Sequence, residues 1–237
     1  MKTQILDNQY WIVKREIIKN NYDFNEQWVE IIERFKTRIE NFYFKPIDKV
    51  KHSNELKGEG FTILTIQCAL IEMFASFKLG KIHKYNKRPT DPNFYYRNSE
   101  ECFIPFLHSE KIFENHFYKI EIDEKKIDQP FSAGEFYNKV RCGLMHEART
   151  KGEWIINAKK EYNGDESIYI SVDSTRNKII IDKTILKKKK KKYFQNYISE
   201  LKQDNENGNN LRRLFARKID HLYDLESDLD FEWWNEN

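Results

Sequence analysis

Most of the signatures that place a protein at once are missing from this chain. Its three cysteines, Cys68, Cys102 and Cys142, have no CxxC spacing and leave an odd count, which argues against a disulfide framework or a zinc site and for a reducing compartment. No stretch reads as a membrane span. The most apolar one, Phe61 to Leu79, is interrupted by Gln67, Glu72 and Lys78, so it is expected to be a buried core helix in a protein without membrane contact. The N-terminus carries no signal-peptide pattern, and the cytoplasm is the expected location. The glycine-rich phosphate loop, the HExxH zinc pattern and nucleotidyltransferase patterns are also absent, leaving phosphoryl transfer and metalloproteolysis without support, and no cofactor or metal is expected. No internal repeat is visible.

What is present suits a folded helical protein. The 237 residues are 39% hydrophobic and 33% charged with a net charge of +3, enough apolar material for a sizeable core. Trp28, Ile31, Ile32, Phe35, Ile39, Phe42 and Tyr43 recur at three- and four-residue steps, predicting an amphipathic helix over about 24–45 that stops before Pro46. Residues 60–79 form a second, more buried helix, and Ser99 to Phe117 contains a third. Ser132-Ala-Gly-Glu135 reads as a capping box opening a further helix that ends near Thr150-Lys-Gly152. Residues 153–158, 167–173 and 178–183 are rich in β-branched side chains and separated by turn chemistry, predicting a small antiparallel three-stranded sheet. Helices over roughly 183–203 and 209–229 follow. The chain, 1–237, is read as one mainly α domain, with a helical core at about 24–150, a β insertion at about 153–183 and C-terminal helices at about 183–230.

The chemistry is concentrated where Arg141 is followed, five positions later, by His146. Guanidinium groups hold phosphate oxygens and imidazoles move protons near neutral pH, so the pair can cleave an RNA backbone without a metal. Eleven arginines and six histidines make roughly one such spacing a matter of chance, so the context must carry the weight. Five positions are about 140° of helical rotation, so the two residues do not stack on one face. A two-fold partner can bring a second Arg141 and His146 to the same cleft, and Gly143 would permit close backbone approach. Packing against a neighbouring helix explains Gly143 equally.

The helix Gly60 to Phe77, with the later helix Glu135 to His146 and Lys151-Gly-Glu-Trp154-Ile-Ile after it, resembles the HEPN superfamily over roughly residues 60–156. Arrangement and wording are similar to a bacterial branch found on plasmids and in defence islands. The resemblance implies a HEPN-like helical bundle and a metal-independent endoribonuclease, toxin-like or related to phage defence, with Arg141 and His146 catalytic at a dimer interface. It also implies RNA and a second copy of the chain as partners, and a neutralising or regulatory protein as a further one. Many active members carry Asn, Asp or His directly after the arginine, where this chain has Cys142. The alternative is a HEPN module without catalysis that binds nucleic acid or protein.

Glu72 lies in the most apolar helix, and a charge there needs a partner. It is a supporting site residue that either orients His146 or fixes Arg141, or else a structural salt bridge. The segment Lys81 to Arg97 carries five basic residues, one acid and four aromatic rings. Lys84, Lys87, Arg88 and Arg97 can neutralise phosphates while Tyr95 and Tyr96 stack bases, unless the rings fold back on the core. The run Lys187 to Lys192 reads as a solvated face or a generic polyanion contact, with some stems over apolar surface and their heads in water. The tail from Ile219 onward has seven acids and no Lys or Arg, and can shield that run.

Overall fold

A computed structural model describes residues 5–19, 21–51, 58–117, 119–122, 125–128, 132–157, 168–173, 175–225 and 231–235. Among the described residues the chain is mainly helical, with a small share of strand. In order come α1 (Asn8–Ile18), α2 (Glu26–Ile39), α3 (Lys45–Lys51) and α4 (Glu59–Leu79), the two-residue strands β1 (Ile82–His83) and β2 (Tyr95–Tyr96), then α5 (Glu100–Ser109) and α6 (Lys111–Phe117). A hairpin of β3 (Lys119–Ile122) and β4 (Lys125–Asp128) precedes α7 (Ala133–Glu135) and α8 (Cys142–Glu147). Strands β5 (Trp154–Ile156), β6 (Ile170–Asp173) and β7 (Lys178–Ile181) lead into α9 (Lys183–Leu201) and α10 (Glu206–Leu222). Contacts divide the chain into two units, one made of Met1–Pro46, Met73–Ser99 and Phe194–Asn237, the other of Ile47–Glu72 and Glu100–Tyr193.

In the first unit α2 begins where the Asn25 carboxamide accepts the amide hydrogens of Gln27 and Trp28, satisfying donors that the helix start leaves free. Its apolar face, Trp28, Ile31, Ile32, Phe35 and Ile39, is buried as its spacing predicts. Burying each such side chain contributes about 1.5–3 kcal/mol. The rings of Phe77 and Phe215 meet Phe35 at centroid distances of 4.7 and 5.0 Å. The α2 helix does not stop before Pro46: the five residues Glu40–Phe44 widen into a π-turn and α3 continues through the proline. The Lys45 amide bonds back to the Glu40 carbonyl, so the ladder is already shifted where Pro46 has no hydrogen to give. At the end of α4, Gly80 takes φ +56°, and the amides of Gly80 and Lys81 return to the carbonyls of Phe77 and Ser76.

Of the three described acids of the tail, Asp220, Asp224 and Glu232, one turns inward. Asp220 is fully buried and its carboxylate accepts from the indoles of Trp11 (2.7 Å), Trp233 (2.7 Å) and Trp234 (3.0 Å) and from Arg15 (2.7 Å). An unpaired carboxylate there would be costly, and these donors offset its desolvation while fastening the 231–235 segment to α1 and α10. Asp220 is therefore a structural anchor and cannot shield the lysine run.

In the second unit, Phe103, Phe106, Phe113, Phe117, Phe136, Trp154 and Tyr169 form the aromatic core. The Ser99 to Phe117 segment holds two helices, α5 and α6, rather than one. The hairpin of β3 and β4 was not expected from the sequence. The three-stranded sheet is mixed and not antiparallel throughout: its order is β5-β7-β6, with β7 parallel to β5 and antiparallel to β6. The continuous apolar run Ile179-Ile180-Ile181 takes the centre, where both edges are paired, which sends the chain from β5 to the far edge before it reverses. That reversal is a tight turn in which the Asp173 carboxylate accepts from the amides of Thr175 and Arg176 and Asn177 takes φ +50°.

Among the described residues α4 is the one helix long and apolar enough to cross a membrane, and 56% of its apolar window is buried inside the fold, as in a core helix.

Candidate functional site

The helix carrying Arg141 and His146 starts as its sequence predicts. Ser132 caps it, its hydroxyl accepting the Glu135 amide at 3.1 Å. The helix then widens into a π-turn over Phe136–Arg141, closed by the Cys142 amide on the Tyr137 carbonyl, before α8 resumes α geometry. Such widened turns re-phase the residues that follow them and are frequent at functional sites.

Arg141 leaves this turn and meets Glu72 of α4, with its Nη2 3.0 Å from the carboxylate Oε2. Its Nη1 lies 4.0 Å from the Cys142 sulfur, and its guanidinium carbon 5.5 Å from the Tyr137 ring centre. Partial burial works against the Arg141 charge, but the charge and hydrogen bond of Glu72 together with Tyr137 and Cys142 raise the guanidinium pKa above its ordinary value. Glu72 thus partners Arg141 and not His146, a pairing that fits both a role in fixing the guanidinium and a structural salt bridge. His146 is exposed, and no hydrogen bond or ion pair engages it among the described residues.

The helix ends at Glu147, a few residues earlier than expected, because Ala148 turns left-handed at φ +53°. The Gly143 carbonyl accepts from the amides of both Ala148 and Arg149. The Arg149 carbonyl comes so near that a Cβ on Gly143 would lie 2.5 Å from it. Glycine is needed here for a turn within the chain, so the residue gives no separate support for close approach by a second copy. Beside this turn a hollow of about 320 Å³ is bounded by Phe61, Thr62, Thr65 and Ile66 of α4 with Leu144 and Ala148. Phe61 is 43% exposed and Met145 49%. A larger hollow of about 670 Å³ in the first unit is lined by Tyr22, Glu206, Asn207, Asn210, Arg213 and Glu232 and holds no imidazole or thiol. The smaller hollow is lined by no imidazole or thiol either, so volume does not mark the position of the reactive groups. Among the described residues no three His, Cys, Asp or Glu side chains cluster to hold a metal ion.

The segment from Lys81 to Arg97 folds on itself. Ile82 and His83 pair in parallel with Tyr95 and Tyr96. Tyr96 is 5% exposed, too buried to stack a base, and Tyr95 packs its ring on Phe94 at 4.6 Å and under the Lys84 ammonium at 4.5 Å. Lys84 is also paired with Asp91 at 2.9 Å, and the Asp91 carboxylate receives the Arg88 amide at 2.6 Å. Arg88 and Arg97 are exposed and Lys87 half-buried, while the ring that does face solvent, at 74% exposure, is Tyr85. The two tyrosines thus follow the fold-back alternative.

The lysine run is not a solvated face throughout. Lys187 pairs with Asp48. Lys190 is wholly buried, its ammonium donating to the Gln67 backbone carbonyl (2.8 Å) and side-chain oxygen (3.1 Å). Burial pushes its pKa down to about 7. Gln67 in turn donates to the Lys183 carbonyl at 2.7 Å, so a charge pattern that looks generic contains one specific core contact. Comparison with family models, with curated proteins and with solved structures finds no match for this chain in any of the three.

Proposed function

We propose that this chain is a HEPN-like, metal-independent endoribonuclease of toxin or phage-defence type, working in the cytoplasm, with Arg141 and His146 at its catalytic centre. The observation that carries the reading is the Glu72–Arg141 ion pair, which sets a guanidinium beside the Cys142–Glu147 helix whose exposed imidazole has no protein partner among the described residues. A base takes the proton of the ribose 2′-hydroxyl, the freed oxygen attacks the adjacent phosphorus, and the 5′-oxygen leaves as it gains a proton. The products are a 2′,3′-cyclic phosphate and a 5′-hydroxyl. His146 suits either proton transfer, and Arg141 stabilises the extra charge of the pentacoordinate phosphorus. Glu72 is a positioning residue that keeps the guanidinium oriented.

One chain offers one motif histidine, so acid and base come from two copies related by a two-fold axis. The apolar Phe61 and Met145 beside the motif supply a face for such a partner. Light scattering that finds an active monomer would contradict the shared site.

The deciding experiment incubates the purified protein, and an Arg141→Ala/His146→Ala variant, with total RNA. Cleavage by the parent alone supports the reading. Intact RNA in both, or equal cleavage in both, removes it.

A further inference from the structure

We propose that Arg149 is a second anion-binding residue of this centre, held beside His146 by the Gly143–Ala148 turn so that it takes a phosphate of the RNA backbone next to the one being cleaved. The inference rests on the ribonuclease reading for the identity of the anion and names a contact which that reading lacks.

The arginines of this chain are used with little left over. Arg15 is bonded to Asp220, Arg34 to Glu30, Arg38 to the Leu6 carbonyl, Arg141 to Glu72, Arg176 to Asp173 and Arg217 to the Trp233 carbonyl. Arg88, Arg97, Arg212 and Arg213 are engaged as well. Among the described residues Arg149 alone has a guanidinium with no hydrogen bond, ion pair or ring contact, and it is exposed.

A free surface arginine would mean little on a mobile loop, but the backbone beneath this one is fixed at a cost. Ala148 adopts a left-handed conformation that L-residues rarely take, and such strain gathers at functional sites. The Arg149 amide bonds to the Gly143 carbonyl at 3.3 Å, and its own carbonyl occupies the space a Gly143 side chain would need. The neighbouring charges are already matched. Glu147 is paired with Lys151 at 2.5 Å, and Lys139 lies between Glu135 and Glu153. That leaves His146 and Arg149, three positions apart, as the open groups of the turn. A guanidinium fork binds two oxygens of one phosphate, and an RNA backbone repeats that charge at every nucleotide, so one chain can meet Arg141 and Arg149 together.

The test uses single-stranded 2′-O-methyl RNA, which lacks the nucleophile and stays intact, and measures its affinity over a range of salt. Arg149→Ala should weaken binding about tenfold at low salt, the lower range for a hydrogen bond to a charged group. The salt slope should fall by about 0.7, the value for one phosphate on a single strand. Arg149→Lys should keep the slope and lose part of the affinity. Arg176→Ala, which removes an exposed arginine from the β6–β7 turn, should change neither. Gly143→Ala should follow Arg149→Ala in binding if its thermal melt shows it folded, and otherwise Arg149→Ala decides alone. On cleavable RNA, Arg149→Ala should raise KM by more than it lowers kcat. Parental affinity and slope in Arg149→Ala, or an equal loss in Arg176→Ala, would overturn the proposal. If the parent leaves RNA uncut but Arg149→Ala still lowers affinity selectively, the anion site stands and the ribonuclease reading falls. Cleavage with no Arg149 effect has the opposite meaning, and a parent that does not bind RNA ends both.

Discussion

The loop from Lys81 to Arg97 and the turn from Arg141 to Lys151 are both rich in cations, yet they dispose of them differently. In the loop, Lys84 is held by Asp91 and by the Tyr95 ring, the Arg88 amide is capped by the same carboxylate, and Tyr96 is core. In the turn, Glu72 and Lys151 take up Arg141 and Glu147, while His146 and Arg149 face outward without a protein partner among the described residues. Abundance of charge is a poor guide to function when the charges are mutually satisfied. Polar groups left open on a strained, glycine-dependent backbone are a better one, since such strain costs stability and persists where the surroundings enforce it.

The largest expected effect would fall on the turn. His146→Ala should lower RNA cleavage at least a hundredfold, the lower range for losing a general acid or base, with the fold intact by circular dichroism. Arg141→Lys should also be severely impaired, since an ammonium keeps the charge and loses the fork. Full activity in either variant would erase the contrast between the two regions. On the loop side, Tyr96→Ala should cost about 3 kcal/mol of stability in a denaturant titration, as large-to-alanine changes in a core do, while the salt slope of RNA binding stays parental. A selective loss of RNA affinity at unchanged stability would make the loop a binding surface after all.

A smaller effect would separate the lysine run from both regions. Burial holds the Lys190 pKa at about 7, below the ordinary 10.5, so between these values the unfolded chain binds more protons than the folded one. Stability should therefore rise as pH increases from about 7 to about 10, and the penalty of burying the charge should be fully present below that window. Lys190→Met should flatten this slope, whereas Lys191→Met, at an exposed position, should leave it. Smallest of all, Tyr85→Ala should shift stability by less than about 0.5 kcal/mol, as substitutions of exposed residues do.

Local chemistry made much of this legible in the sequence. The periodicity of α2, the apolar run of α4 and the Ser132 cap are local features, and those elements lie where that chemistry puts them. The Glu72 charge in an apolar helix called for a partner and has Arg141. Long-range choices were less readable. The mixed sheet depends on which strand takes the centre, and the continuation through Pro46 depends on a π-turn that no residue pattern announces. Lys190 looks like its five neighbours until α9 is packed against Gln67, and Asp220 looks like six other tail acids until three indoles close on it. The role of Gly143 was misplaced for a related reason: a glycine signals close approach but does not say of what.

The most direct measurement of the central claim is the chemistry of the RNA ends produced in the presence of EDTA. The account predicts that the parent protein leaves 2′,3′-cyclic phosphate and 5′-hydroxyl ends without added metal, that DNA of the same sequence survives, and that His146→Ala produces neither end. Products with 3′-hydroxyl and 5′-phosphate ends, loss of cleavage in EDTA, or comparable cutting of DNA would contradict it.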